Sequence, residues 1–485
     1  MALLFAADDK FGDVVEALEA RGWRRLPYVG IPKFDLKWTN YSKVAWSRVT
    51  SKQFVNHFQH SILFSRKDLF TKLMYAQATQ DERGQTLMDG CFPRTFDLSQ
   101  SGDQRLLKQW FLYTQAVTVL KNSMSGKPSV TEAQSRAALE LAKTVTVSNL
   151  FKRWRLETKD PVANTDTNLD GSELLTFASG SAAVRLDCNF RKEAGALLKH
   201  LEQHDPQFHA IDSAGSNVWI CKPSNLSQGR GIELCSSLHE LRELMSQTSD
   251  HEEQENGAVA NEGQSSSSRT KWIVQKYIER PLLLQNGRKF DIRQWVLLTE
   301  LEPEPIAYWF YRSYLRFCSR PFELTRLQDR FTHLSNYSIQ QHFVPEDEDR
   351  AAFEATSATK QDANEFEPMW SSEQFRDTLR HQHGRDVWND TILPQMQSTA
   401  RIALHAVIPK LKAVGRGFEW LGFDFLVDDN HHVWLLEVNV SPDVSHSTNV
   451  TAEMVPKATV DTLNLVLDPE GSRSPDNGWL PFSLQ

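Results

Sequence analysis

Cysteine is scarce: the 485 residues hold five, Cys91, Cys188, Cys221, Cys235 and Cys318, an odd number, widely scattered, with no Cys-x-x-Cys pair. That spacing argues against a disulfide framework or a thiolate zinc site and for a reduced, intracellular chain. Positive charge is not in excess either. Lys and Arg number 54 against 62 Asp and Glu, a net charge of -8, so no global basic field points to nucleic acid. No stretch approaches the roughly 18 uninterrupted apolar residues of a membrane span. The opening MALLFAADDK has an apolar run without a basic region before it, which argues against a secretory signal. A cytosolic protein with neither membrane nor nucleic acid as partner is expected. Two familiar nucleotide signatures are missing, the GK[ST] of a Walker A loop and GxGxxG, and no Ser-His-Asp or Cys-His device is evident. What remains is ordinary globular material, 40% hydrophobic and 24% charged, in a chain longer than one core usually serves. About two to four domains are expected.

The densest chemistry lies at 420–441, WLGFDFLVDDNHHVWLLEVNVS. Two β-prone runs flank the turn-rich Asp428-Asp429-Asn430-His431-His432, which predicts a hairpin. If the loop spans 429–432, Asp424 lies directly across from Glu437, and Glu437 shares a face with Asn439. Three oxygen-bearing side chains then converge, as a hard cation such as Mg²⁺ requires when it also holds nucleotide phosphates. The alternative is a solvated face of ordinary charges. Phe423, Phe425, Trp434, Leu435 and Leu436 around them favour an interior position.

Elsewhere the patterning alternates helix and strand. Residues 14–18 predict a helix stopped at Gly22, 36–38 a strand or loop, and 66–73 a basic amphipathic helix start whose Lys67 and Lys72 could meet phosphate. Helices are expected at 104–120, 132–141, 149–156 and 194–203, with a linker at 123–128 and a polar loop at 159–171. A strand at 217–223 delivers Lys222 into a small-residue loop containing Gln228, Gly229, Arg230 and Gly231. Such a loop suits phosphates, because glycine amides approach closely, although a plain turn fits as well. Residues 246–269, acidic and Ser-rich, are expected to form a disordered insertion. The strand at 272–278 carries Gln275, Lys276, Tyr277 and Ile278, and Pro281 breaks the ladder beyond it, freeing backbone groups for an adenine edge.

On the strand at 288–298, Lys289, Asp291 and Arg293 share a face, either buried against charge or paired on the surface. Residues 306–310 should pair with that strand and lead to 314–317, which holds Arg316. Residues 332–340 are either a substrate lining or a structural turn, and 345–367 is acidic and flexible. Helices are expected at 372–380, where Ser371 and Gln374 have capping-box spacing, at 395–411 and at 451–466. The pairs His381 with His383 and His431 with His432 lack zinc spacing and are expected to be exposed loop residues.

The ordered blocks WICKPSNLSQGRGI, WIVQKYIERPLLL, RKFDIRQWVLL, YLRF, HLSNYSIQ and GFDFLVDDNHHVWLLEVNVSP resemble the tubulin tyrosine ligase-like family over residues 219–468. ALEARGW, DLKWT, VNHF and SRKDLFTKL extend the resemblance more loosely into the amino-terminal half. Within the family, DLKWT, VNHF, HLSNYSIQ followed by MWSSEQF, and ILPQM are most similar to the glycylase branch, which attaches glycine to tubulin glutamates. The resemblance implies an α/β (α+β) chain with the ATP-grasp fold. Its expected domains are an amino-terminal α/β domain at 1–122, a central domain at 129–280, a carboxy-terminal domain at 281–470 with the hairpin, and a tail at 471–485.

The same resemblance implies ATP and Mg²⁺ as cofactors, with Asp424, Glu437 and Asn439 as metal ligands. Lys222 would bind phosphate, Gln275, Lys276, Tyr277 and Ile278 would face adenine mostly through backbone, and Lys67 would be a second lysine of the nucleotide site. Lys289, Arg293 and Arg316 would be the cations of the substrate and phosphate region. Expected partners are free glycine, tubulin through its acidic carboxy-terminal tails, and microtubules, in the cytoplasm, the cytoskeleton or a cilium. The clusters Lys152, Arg153, Arg155 and Arg21, Arg24, Arg25 are candidate docking surfaces. The alternatives are a glutamate or tyrosine ligase of the same chemistry, a small-peptide ligase, or an inactive microtubule-binding relative, which the presence of the ligand set and Lys222 opposes.

Overall fold

The computed structural model describes residues 2–78, 87–125, 130–144, 186–211, 217–249, 271–345, 366–468 and 474–485. Lys152, Arg153 and Arg155 with their helix, the loop at 159–171, residues 250–269 of the expected insertion and 346–365 of the acidic stretch lie outside the described residues, as do 126–128 of the linker. The chain is α/β, and divides into two units: Met1–Gln77 with Leu282–Phe322 and Arg330–Gln485, and Ala78–Pro281 with Glu323–Asp329. Among the described residues, no helix is long and apolar enough to cross a membrane.

The first unit opens with parallel strands β1 (Leu4–Ala7), β2 (Arg24–Arg25), β3 (Leu36–Trp38) and β4 (Phe54–Val55). Alternation sends Phe5, Ala7, Leu36, Trp38 and Phe54 into one core with Val14 and Leu18 of α1 (Gly12–Ala20), while Val55 faces Phe34 and Val44 on the other side. The chain leaves α1 through Gly22 at φ 79°, a left-handed conformation that suits glycine. Helix α2 (Lys67–Ala78) begins at the expected basic start.

In the second unit, β5 (Thr95–Asp97), β6 (Trp219–Pro223), β7 (Glu233–Cys235) and β8 (Trp272–Lys276) form an antiparallel sheet in the order β5-β8-β6-β7. Helix α3 (Ser101–Ser125) covers it, packing Leu107, Trp110 and Val117 with Phe96, Trp219 and Val274. Residues 87–122, expected in the amino-terminal domain, therefore pack here, because β5 is the edge partner of β8 and α3 roofs both. Helices α4 (Glu132–Thr144) and α5 (Cys188–His204) join the far end of α3, and α6 (Leu238–Ser249) is an ordinary amphipathic helix. Residues 246–249 are thus helical and not part of an insertion.

The remainder of the first unit adds β9 (Leu283–Leu284), β10 (Arg288–Glu300), β11 (Ile306–Phe310), β12 (Tyr314–Phe317), β13 (Met369–Ser371), β14 (Arg416–Gly417), β15 (Glu419–Val427), β16 (Val433–Val440) and β17 (Trp479–Phe482). β14 joins the amino-terminal sheet beside β4. The others build an eight-stranded sheet around β10, which is flanked by β11 and β12 on one side and β15 on the other. That central position buries β10 from Arg288 to Leu298.

Helices α7 (Ser372–His383), α8 (Leu393–Val407) and α9 (Asn449–Leu467) follow the predicted pattern. The Ser371 and Gln374 capping box closes reciprocally, Ser371 N–H donating to Gln374 Oε1 at 2.8 Å. The expected 395–411 helix ends as a 3-10 turn, Ile408–Lys410, at Pro409. Residues 332–340 supply the short helical turns Arg330–His333 and Tyr337–Gln340, and His381 and His383 lie in the last turn of α7, not in a loop.

Candidate active site

Asp424 on β15 stands directly opposite Glu437 on β16, by a different route from the four-residue loop. The loop has five residues, because Asp428 leaves the ladder to organise the turn: its Oδ1 accepts from the Asn430 and His432 N–H groups at 2.9 Å, and its Oδ2 from Trp434 Nε1 at 3.1 Å. Val427 then pairs with Val433, a register that would set Asp424 against Leu436. A bulge at Leu436 absorbs the extra residue and restores Glu437 to the face of Asp424. Asn439 Nδ2 lies 3.1 Å from Asp424 Oδ2 and 3.2 Å from Glu437 Oε1, so the three side chains converge. The solvated alternative fails for Asp424, which is 2% exposed, whereas Glu437 is 27% exposed at its side chain and forms the open edge of the cluster.

Two arginines neutralise this acidic centre. Arg293 on β10 is paired with Asp424 in register, its Nε and Nη2 gripping both carboxylate oxygens. Arg316 on β12 is paired with Asp291 in the same way, Nε to Oδ1 at 2.8 Å, and its Nη2 reaches Asp424 Oδ2 at 2.9 Å. The face carrying Lys289, Asp291 and Arg293 is therefore buried, each residue 5% exposed or less. Burial pushes the Asp424 carboxyl up, but Arg293 and Arg316 outweigh it and hold it at about 2. Burial also lowers the Lys289 ammonium, whose Nζ donates to the His333 carbonyl at 2.6 Å. Arg293 can lie flat because Gly422 has no side chain: a Cβ there would sit 3.2 Å from Arg293 Cδ and 2.9 Å from Pro442 Cβ.

Lys67, at the start of α2, brings its Nζ to 3.8 Å from Glu437 Oε2. Lys72 on the same helix does not join it, and lines a separate pocket with His60 and Lys410. Three further residues belong to this polar centre. Asp291 was visible as a neighbour on the Lys289 face. His57 lies in the VNHF block and Glu419 opens β15, and neither carries a local signal of the other. His57 Nδ1 lies 2.8 Å from Glu419 Oε1, and its Nε2 2.8 Å from the Thr39 carbonyl and 3.2 Å from Ser441 Oγ. Ser441, two residues beyond Asn439, has φ 57°, so this contact braces a left-handed turn next to the oxygen cluster.

In the second unit, Lys222 ends β6 with its Nζ 2.7 Å from Gln275 Oε1, and Gln275 Nε2 donates to Thr95 Oγ1 at 2.9 Å. Gln275 thus orients the lysine by its side chain, beyond the backbone role expected of it. Lys276 turns inward, donating to the Val218 carbonyl at 2.8 Å and pairing with Glu279 at 2.5 Å, so its ammonium is a structural cation. Tyr277 and Ile278 are buried beside it. Gln228, Gly229 and Gly231 all have positive φ, so the loop exposes backbone in an arrangement glycine permits, while Arg230 donates to Gln228 Oε1 at 3.1 Å.

The oxygen cluster fits a hard cation by its donor set: two carboxylates and an amide whose half-turn would present Oδ1 in place of Nδ2. Among the described residues, no group of three His, Cys, Asp or Glu is placed to hold a metal, Asn439 being the third donor here. Of the expected docking clusters, Arg21 is spent on Asp468 at 2.8 Å and Arg25 on Asp9 at 2.5 Å.

The chain is 31% identical to tubulin monoglycylase TTLL3 of Mus musculus over 497 residues, covering 96% of the chain and 49% of that protein. It is 26% identical to tubulin glycylase 3B of Tetrahymena thermophila, covering 96% of the chain and 42% of the relative. To tubulin monoglycylase TTLL3 of Homo sapiens it is 36% identical over 284 residues, 58% of the chain and 32% of the relative. The chain thus spans half or less of the length of these relatives. The profile of the tubulin-tyrosine ligase family matches residues 179–475, from before the Lys222 strand to beyond the oxygen cluster, and the chain belongs to that family.

Proposed function

We propose that the protein is an ATP-dependent ligase of ATP-grasp type that joins glycine through an isopeptide bond to glutamate side chains in the acidic tails of tubulin. The observation that carries the chemistry is the convergence of Asp424, Glu437 and Asn439 beside Arg293 and Arg316. The choice of glycine and tubulin is supported by the names of the relatives. On this reading it works in the cytoplasm on microtubules, including those of cilia.

A glutamate carboxylate is a poor electrophile, so its oxygen first attacks the γ-phosphate of ATP, giving an acyl phosphate and ADP. The glycine amine then displaces phosphate. Such transfer depends on positioning and charge neutralisation, for which no covalent side-chain nucleophile is needed. Asp424, Glu437 and Asn439 would hold Mg²⁺, which when bound neutralises phosphate charge. Arg293 and Arg316 fix the Asp424 carboxylate in its ionised form, and Lys289, whose ammonium burial pushes down from its usual range, would face the substrate side. Lys67 steadies Glu437 from α2. Lys222, Gln228, Gly229, Arg230 and Gly231 would receive phosphate, and 275–278 the adenine.

The test supplies purified protein with ATP, Mg²⁺, tubulin and each labelled amino acid in turn. Preferential glycine incorporation is expected. Preferential incorporation of glutamate or tyrosine would replace glycine in this reading, and no incorporation at all would remove it.

A further inference from the structure

A second cavity lies on the first unit, away from the oxygen cluster. Between α2 and the segment after α8 is a cavity of about 470 Å³, within the range of small-ligand and side-chain pockets. Leu63, Leu73 and Leu411 contribute to an apolar floor, and Lys72, Lys410 and Lys412 stand on its rim. Among the described residues, no acidic side chain lines it and no ion pair engages Lys72, Lys410 or Lys412, all three of which are exposed. Its walls are tied together by a bridge in which Gln59 N–H donates to the Lys412 carbonyl at 2.9 Å and Lys412 N–H to the Gln59 carbonyl at 3.0 Å.

Three exposed lysines around a leucine floor concentrate positive charge locally on a chain whose net charge is -8. An apolar ligand alone would not need the lysines, and a small inorganic anion would not use the floor. We infer that the pocket binds an acidic peptide segment that carries one large apolar side chain, the side chain filling the floor and flanking carboxylates meeting Lys72, Lys410 and Lys412. The ligand class is argued from the pocket itself; that this peptide is the acceptor chain rests on the function proposed above. Location favours that identity. Lys72 and Lys67 are five residues apart on α2, about 7.5 Å along its axis and about 140° around it, so a peptide anchored at Lys72 would have to pass around the start of the helix to reach Lys67, which meets Glu437. An extended chain rises about 3.3 Å per residue, so a few residues beyond the anchor would lead toward the oxygen cluster.

The test measures fluorescence anisotropy of the full chain with a labelled ten-residue oligoglutamate containing one central phenylalanine, and with its alanine counterpart, without nucleotide. The phenylalanine peptide should bind about tenfold tighter, and more weakly as salt rises. Replacing all three lysines by alanine should weaken it by about tenfold or more, and Lys410→Glu with Lys412→Glu should do the same with an unchanged melting curve. Equal affinity for the two peptides, or undiminished binding by the lysine variants, would overturn the assignment. Peptide binding with this pattern in a protein that transfers no amino acid would leave the pocket standing and remove only the ligase reading.

Discussion

Arg293 and Asp424 face each other as directly paired residues on β10 and β15, so the more deeply buried carboxylate of the oxygen cluster already holds a guanidinium. The consequence is a division of labour. Asp424 is locked and ionised in the interior, while Glu437, partly exposed at its side chain, would on the proposed function be the ligand that responds to an arriving cation.

Glu437→Gln should therefore remove ATP-dependent transfer, by a hundredfold or more if the metal is lost, while the melting temperature moves little. Incorporation assays with calorimetry in parallel check this; undiminished turnover would take Glu437 out of the metal site.

Arg293→Met should leave Asp424 buried and short of a partner. Breaking a buried pair in this way costs about 3–5 kcal/mol, measurable by urea unfolding. Combining it with Asp424→Asn should restore much of the stability without restoring activity, since the charge is gone but so is the ligand.

Gly422→Ala places a methyl against Arg293 and Pro442. Transfer should fall by about tenfold or more, because a displacement of order 1 Å at a reacting centre is that costly. A variant with normal turnover would show that Arg293 need not lie where it does.

Asp89, fully buried, has both carboxylate oxygens without a hydrogen-bond partner. Burial raises its carboxyl to about 7, Arg94 pulling it down and Asp205 pushing it up. The folded protein thus holds a proton that the unfolded chain releases near 3.8, so stability from this group falls as pH rises from about 4 to 7, by a few kcal/mol. Asp424 has the opposite sign: its contribution is present above about 4 and lost as pH falls toward 2. Asp89→Asn should flatten the decline between pH 4 and 7 in denaturation curves, leaving the acid limb unchanged.

Period-two alternation puts Glu437 and Asn439 on one face and aligns Lys289, Asp291 and Arg293, because those relationships live within one strand; that Asp424 meets Glu437 agrees with the expectation only because a bulge offsets the longer loop. The bulge at Leu436 was not legible, since it arises from Asp428 preferring turn amides to the ladder, a competition settled by packing around Trp434. His57 with Glu419 was hidden for a different reason: 362 residues separate them, and nothing local in VNHF reveals what it will face. The same distance effect moved residues 87–122 into the second unit, as the pairing of Thr95 with Gln275 joins segments that alternation can only describe separately.

The family profile stops at 475, yet β17 follows it and places Trp479 in the core, its ring 5.0 Å from that of Phe310 and its Nε1 2.9 Å from Thr462 Oγ1. A gene fragment cut at the recognised family boundary would strip β11 of its outer neighbour, leaving a hydrogen-bonding edge and an aromatic hole open to self-association. Insolubility of such a fragment would then report a missing strand, and say nothing against the catalytic reading of the chain.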